Sequence, residues 1–546
     1  MSLLTNKKVL LLGGLTLAIG IGVAIHATSA PARTSQAQTL NLYESTNLIS
    51  LDASKITDSV SSAQLSQVGE GLYRLNADSQ PQNALATHTA VTNQGTTYTI
   101  NLRHDGKWSN GQPVTASDFV YSWERTLDPK TKSEFTYLFA NIQNAKAIVA
   151  GQKQPRTLGV QATGKFQLQI NLTKPVPYFK KLLAGTTFYP LNETAVKEYG
   201  KRYGTSAQTT VYNGPFKLVG WNGTNNNWQL TKNPAYWGKK AVKLHQINYQ
   251  VIKSESTAYN LYQSNQLDMV TLSGQANLQN QHNPNLKTLP TGRIGFIQYN
   301  QKDKLAANQN LRTAISLAIN RQQLVHNVLQ DGSVAASTFG VHQMLKNPKS
   351  GQDFVADTKI SQTASYNLSA AQARFKQAQR ELGHHQLTLT ITCGDDETSQ
   401  KLATFIQGQL TSHLSGLRVT IRPMPFTAML TKVSQGNFQL NLTSWGMDFA
   451  DPSQALTILT SDSNSNMGHY SSQTYDADMA KADGSDANNA PARYQDLITA
   501  EKTALKDQAV TPLYEGGSHI LVKPTVHGVV SNKFNGNLDF RTAYMK

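Results

Sequence analysis

Short stretches of this chain alternate strictly between apolar and polar residues. Leu40 and Leu42 flank Asn41, Tyr98, Ile100 and Leu102 alternate with Thr97, Thr99, Asn101 and Arg103, and Phe166, Leu168, Ile170 and Leu172 repeat the pattern. Ile247, Tyr249 and Val251 do the same. A period of two places one face of a strand on a core and the other in water, so these segments predict half-buried strands. Residues 216–221 and 228–232 predict two more strands joined by an Asn-rich loop, and residues 267–270 a short buried one. Helices are spaced among them. One follows Ser61 and ends at Gly69-Glu70-Gly71, and another covers residues 257–263. Thr115-Ala116-Ser117-Asp118 is a capping box opening a helix that carries Phe119, Val120, Trp123 and Leu127 and stops before Asp128-Pro129.

Past Tyr299 the period lengthens. Leu311, Ile315, Ala318 and Ile319, then Leu324, Val325 and Val328, predict long amphipathic helices. An alternating strand from Leu387 to Cys393, a helix over 398–410, a strand over 417–421 and a helix over 426–433 follow in βαβ order. From Leu513 the chain returns to short strands. Residues 39–300 therefore read as mainly strands and 301–512 as α/β, giving an α/β fold class with two regions of comparable size.

Composition narrows the function. At 546 residues the chain is too long for one core. Its formal charge is +16, yet the basic residues are scattered and form no stripe, which argues against a nucleic-acid partner and fits either attachment to an anionic cell-wall polymer or membrane surface or simply a generally basic secreted protein. A single cysteine, Cys393, excludes an intramolecular disulfide and a cysteine-based metal cluster, and reads as a buried structural thiol. His384-His385 lacks further ligands nearby, so no metal site is expected. Asp395-Asp396-Glu397 reads as a helix N-terminus and Asp451-Pro452 as a turn. Neither Gly-x-Ser-x-Gly nor His-Glu-x-x-His occurs, so no enzyme and no cofactor are expected.

Lys7 and Lys8, the apolar run 9–25 and Ala30-Pro31-Ala32 predict a secretory signal peptide over residues 1–32, with an uncleaved anchor as the alternative. No cysteine near residue 30 would carry a lipid. The expected location is secreted or at the cell surface.

The candidate site is Ser444-Trp445-Gly446-Met447-Asp448-Phe449-Ala450-Asp451-Pro452, which follows a strand marked by Phe438, Leu440 and Leu442. Asp448 has no Lys, Arg or His within four residues on either side and sits beside Trp445, Met447 and Phe449. A carboxylate among apolar groups needs a cation to stay ionised at modest cost.

Several pieces, in order, carry a resemblance to a known family. They are Lys107-Trp108-Ser109-Asn110-Gly111-Gln112-Pro113 running on through Trp123, Tyr212-Asn213-Gly214-Pro215-Phe216, Asn233-Pro234-Ala235-Tyr236-Trp237, Leu311-Arg312 to Asn320-Arg321, and Trp445 to Pro452. Over nearly the whole chain it resembles the solute-binding proteins of peptide ABC importers, the oligopeptide- and dipeptide-binding family. The resemblance implies a two-lobe clamshell of the periplasmic-binding-protein type, closing by a hinge with crossings near residues 300 and 513. Lobe I would comprise residues 39–75, 205–300 and 513–546, with 76–204 as an extra subdomain, and lobe II residues 301–512. It implies that Asp448, in the Trp-x-x-Asp pattern, pairs with a peptide's α-ammonium. The backbone of Ser444, Trp445, Gly446 and Met447 would bond the peptide as an added strand, with Phe135 and Ser59 touching it from the other lobe. Phe135 stands where the family presents an aromatic to the ligand, without the hydroxyl a tyrosine would bring. Some members carry an arginine six residues before the acid, near the ligand's C-terminus; here that position is Leu442, which leaves the ligand carboxylate without an identified partner.

The expected function is thus an extracellular, monomeric peptide receptor serving membrane ABC permease subunits. The alternatives are another cargo (a muropeptide, a signalling peptide or a metal chelate) and a basic cell-surface adhesin.

Overall fold

The computed structural model describes residues 38–546; the signal segment expected over 1–32 lies outside them. Three large sheets organise these residues. In the first, Thr39–Glu44 pairs in parallel with Gln246–Val251, and Asn227–Lys232 and Phe216–Val219 follow antiparallel. Its inward residues, among them Leu40, Leu218, Trp228, Leu230 and Ile247, pack on Trp221 and Tyr236.

The second sheet is wholly antiparallel, in the order Ala86–Thr92, Thr97–Leu102, Gln167–Asn171, Val160–Gly164. Tyr98, Ile100, Leu102, Leu168 and Ile170 share one core with Phe119 and Trp123 of the helix Ala116–Leu127. That helix starts where its sequence says: the Asp118 carboxylate accepts from the Thr115 amide at 2.8 Å and closes the capping box.

The third sheet has seven strands. Its path is Met269–Leu272, Val510–Val522, Leu286–Tyr299, Leu440–Gly446, Leu387–Gly394, Leu417–Met424, with Val334–Ala335 beside Val510–Val522. Leu387–Gly394 and Leu417–Met424 run parallel, joined by the helix Glu397–His413, whose cap is the Asp396 side chain accepting from the Ser399 amide at 2.9 Å. Cys393 is fully buried there, and burial pushes its thiol up to about 11. The result is a mixed α/β, two-lobed molecule.

The long helices expected after Tyr299 are corrected. The first, Gln309–Ala318, is ten residues long; Ile319 is extended, and Asn320 caps a new short turn by accepting from the Gln323 amide. Buried Arg321 holds this break open, donating to the carbonyls of Ser316 at 2.9 Å and Pro512 at 2.7 Å. The apolar period continued through a corner, and a period cannot report a corner. Among the described residues no helix is long and apolar enough to cross a membrane.

Candidate functional site

The strand Leu440–Gly446 pairs along its length with Leu286–Tyr299, in register Gly446 to Arg293 and Ser444 to Gly295. On its other side Leu387–Gly394 reaches only Leu440 and Asn441. Beyond Asn441 that edge has no neighbouring strand among the described residues. The Met447 amide donates to the Gly292 carbonyl at 2.9 Å. Antiparallel residues bond alternately to one neighbour and then the other, so the main-chain groups of Gly446 and Ser444 face the unpaired edge. Of the backbone groups expected to meet a ligand, the Met447 amide is therefore already spent.

This edge opens on a cavity of about 790 Å³. Six of the seven residues singled out from sequence line it: Ser59, Phe135, Trp445, Gly446, Met447 and Asp448. They come from three separated stretches of chain. Ser59 begins the helix Ser59–Val68, and Phe135 immediately precedes the short turn Thr136–Phe139. Ser444 lies outside the lining; its hydroxyl accepts from Arg293 Nη1 at 2.9 Å. Trp445 is half-buried rather than a core residue, and its indole donates to the Gln454 carbonyl at 3.1 Å. Leu442 is buried in the core, so no cation stands in its place.

Asp448 is exposed at the cavity, and no lysine or arginine clasps it among the described residues. Its carboxylate accepts from the Tyr137 hydroxyl at 2.8 Å, and its amide donates to Gln454 Oε1 at 2.8 Å. Although part of the side chain stays exposed, the protein packed around it strips hydration from the carboxylate and raises its pKa, and the Tyr137 bond offsets part of that rise. Burial, together with the Asp448 charge, pushes the Tyr137 phenol upward, so it stays a protonated donor. Tyr137, two residues beyond Phe135, thus brings a hydroxyl to this carboxylate. Sequence reading missed Tyr137; the aromatic two places after Phe135 was the only signal.

The loop after Asp448 is pinned to the other side of the cleft. Phe449 stacks on Tyr178 at 4.5 Å and joins the core of the Ala86–Thr92 sheet. Lys181 donates to the carbonyls of Ala450 and, at 3.4 Å, Met344. Asp451 is more than a turn residue: buried, it takes a two-pronged bond from Arg493 at 2.7 and 3.0 Å.

An open strand edge, an acid lacking an ionic partner and a cavity gripped from two lobes define a protein that encloses a small ligand. The chain belongs to the bacterial extracellular solute-binding proteins, family 5, whose middle region matches residues 80–467. It is 35% identical to a dipeptide-binding protein of Lactococcus lactis subsp. cremoris, over 94% of this chain and 96% of that one. Among solved structures it resembles peptide-bound OppA of Listeria monocytogenes, with TM-score 0.76 and 36% identity, covering 94% of this chain and 100% of the other. The substrate-binding domain of an oligopeptide ABC transporter from Bacillus anthracis gives TM-score 0.76 and 35% identity, covering 94% and 99%.

Proposed function

We propose that this protein captures peptides outside the cytoplasmic membrane and delivers them to the permease subunits of an ABC importer. The observation that carries the reading is Asp448: an acid on the cavity wall that bonds only a neutral phenol, next to a strand edge open at Gly446 and Ser444. A peptide's α-ammonium supplies the missing charge, and its backbone supplies the missing strand. Main-chain bonding accepts many sequences, which suits a nutrient receptor. Ser59 and Phe135 approach the ligand from the facing lobe. The relatives' names, a dipeptide-binding protein and a peptide-bound OppA, support the same cargo.

The lobe boundaries follow from the same reading. Lobe I takes 39–75, 205–300 and 513–546, with 76–204 as its subdomain, and lobe II takes 301–512; separate buried cores around Trp228, Trp123 and Ile391 support three units. Residues 1–32 serve as the secretion signal, the protein acts as a monomer, and its charge of +16 favours contact with anionic wall polymer. Native mass spectrometry of protein purified from cells tests the cargo. Adducts with peptide masses, lost on partial unfolding, are expected; a reproducible adduct that fragments into something other than amino acids would refute it.

A further inference from the structure

Three cations line the cavity, and two are engaged. Arg74 is buried, paired with Glu70 and with Asp539 at 3.4 Å, and also donates to the Gly69 carbonyl. Lys181 is turned onto the carbonyls of Ala450 and Met344. Arg293 differs. It is exposed, has no carboxylate within ion-pair distance among the described residues, and makes one side-chain bond, to the Ser444 hydroxyl. Its guanidinium lies over Gly446, where a β-carbon would sit 3.1 Å from Nη2 and 3.4 Å from Cζ. Glycine at 446 therefore leaves room for the guanidinium to reach across the strand toward its unpaired edge. On the stretch of wall formed by Thr291, Arg293 and residues 445–448, Asp448 and Arg293 carry opposite charges, and neither has an ion-pair partner among the described residues.

We propose that Arg293 binds a carboxylate of the ligand, which makes the cleft selective for short zwitterionic peptides or for peptides acidic near their N-terminus. This rests on the peptide reading above and names the second anchor that Leu442 cannot supply. An extended peptide advances about 3.3 Å per residue. Starting with its ammonium at Asp448 and running back along Gly446 and Ser444, it brings its second or third residue to the guanidinium. The carboxylate arriving there is the C-terminus of a di- or tripeptide, or the side chain of an acidic second or third residue. A planar guanidinium held on one side by Ser444 keeps further N–H donors for that carboxylate.

Calorimetric titration of wild-type protein, Arg293→Gln and Asp448→Asn separates the possibilities. The probes are Ala-Ala and Ala-Ala-Ala, their C-terminal amides, and Ala-Glu amide. Loss of a charge-assisted bond predicts that Arg293→Gln binds the free peptides roughly ten- to a hundredfold more weakly and the alanine amides unchanged. In wild type, amidation should cost a similar factor. If Ala-Glu amide regains the affinity in wild type but not in Arg293→Gln, the side chain is the source; if only free peptides have it, the C-terminus is. Equal binding of acid and amide forms by wild type, with no tighter binding of Ala-Glu amide than of the alanine amides, overturns the proposal even should the variant fail to fold. Unchanged binding by Arg293→Gln with loss in Asp448→Asn overturns Arg293 alone, unchanged binding by both removes both charge anchors, and no binding of any probe by wild type removes the peptide reading itself.

Discussion

Asp448→Asn is the most informative single change. The amide is nearly isosteric with the carboxylate, so Tyr137 can still donate to its oxygen as it does now at 2.8 Å, and the backbone bond to Gln454 is untouched. What disappears is the charge. A hydrogen bond to an ionised partner contributes about 1.5–3 kcal/mol, and the surface that Asp448 keeps exposed argues against the larger values found for fully desolvated pairs. Peptides with a free N-terminus should therefore bind roughly ten- to a hundredfold more weakly. N-acetylated peptides, which have no ammonium to lose, should bind the variant and the wild type alike. The pH dependence carries a sign as well. Burial places the Asp448 pKa above the ordinary aspartate value, so affinity is full at neutral pH and falls, as the acid protonates, at a higher pH than an unperturbed aspartate would give. The variant should lack that acid limb. Calorimetry across pH measures all three. An equal loss for acetylated and free peptides would show that the change disturbs the cavity and that no ammonium pairs with Asp448.

Tyr137→Phe removes the bond that pulls the Asp448 pKa down. The acid limb of peptide binding should then move to higher pH, with only a few-fold change in affinity at neutral pH; an unmoved limb would show that the phenol does not hold the carboxylate in solution. Arg493→Ala leaves Asp451 charged and buried and should destabilise the fold by about 3–5 kcal/mol, read by chemical denaturation. Burial alone would raise the Asp451 pKa, but the charge and bonds of Arg493 outweigh it and leave it lowered. The stability that Asp451 contributes is therefore present above the ordinary aspartate range and lost as pH falls through the lowered value, a dependence that Asp451→Asn should abolish.

Local chemistry was legible wherever its partners lie close in the chain. The capping box of Thr115 and Asp118 and the Asp396 cap each span three residues, and both form as read. The strand at Tyr98 alternates because one face meets Trp123 and the other meets water. The loop at Asp448 stood out because an acid without a nearby cation is visible in the order of residues alone.

What the order of residues determined by itself was therefore the α/β class, the half-buried strands and an acid, Asp448, set among apolar residues with no cation nearby in the chain. Tertiary structure alone decided who stands around that acid. Tyr137 meets it from 311 positions away, Arg293 reaches Ser444 across 151, and Arg493 reaches Asp451 across 42. Alternation and capping are enforced by hydrogen bonds within a few residues, so they leave a trace in sequence. Contacts closed by the folding of distant segments depend on the path of the whole chain, and no local pattern encodes that path.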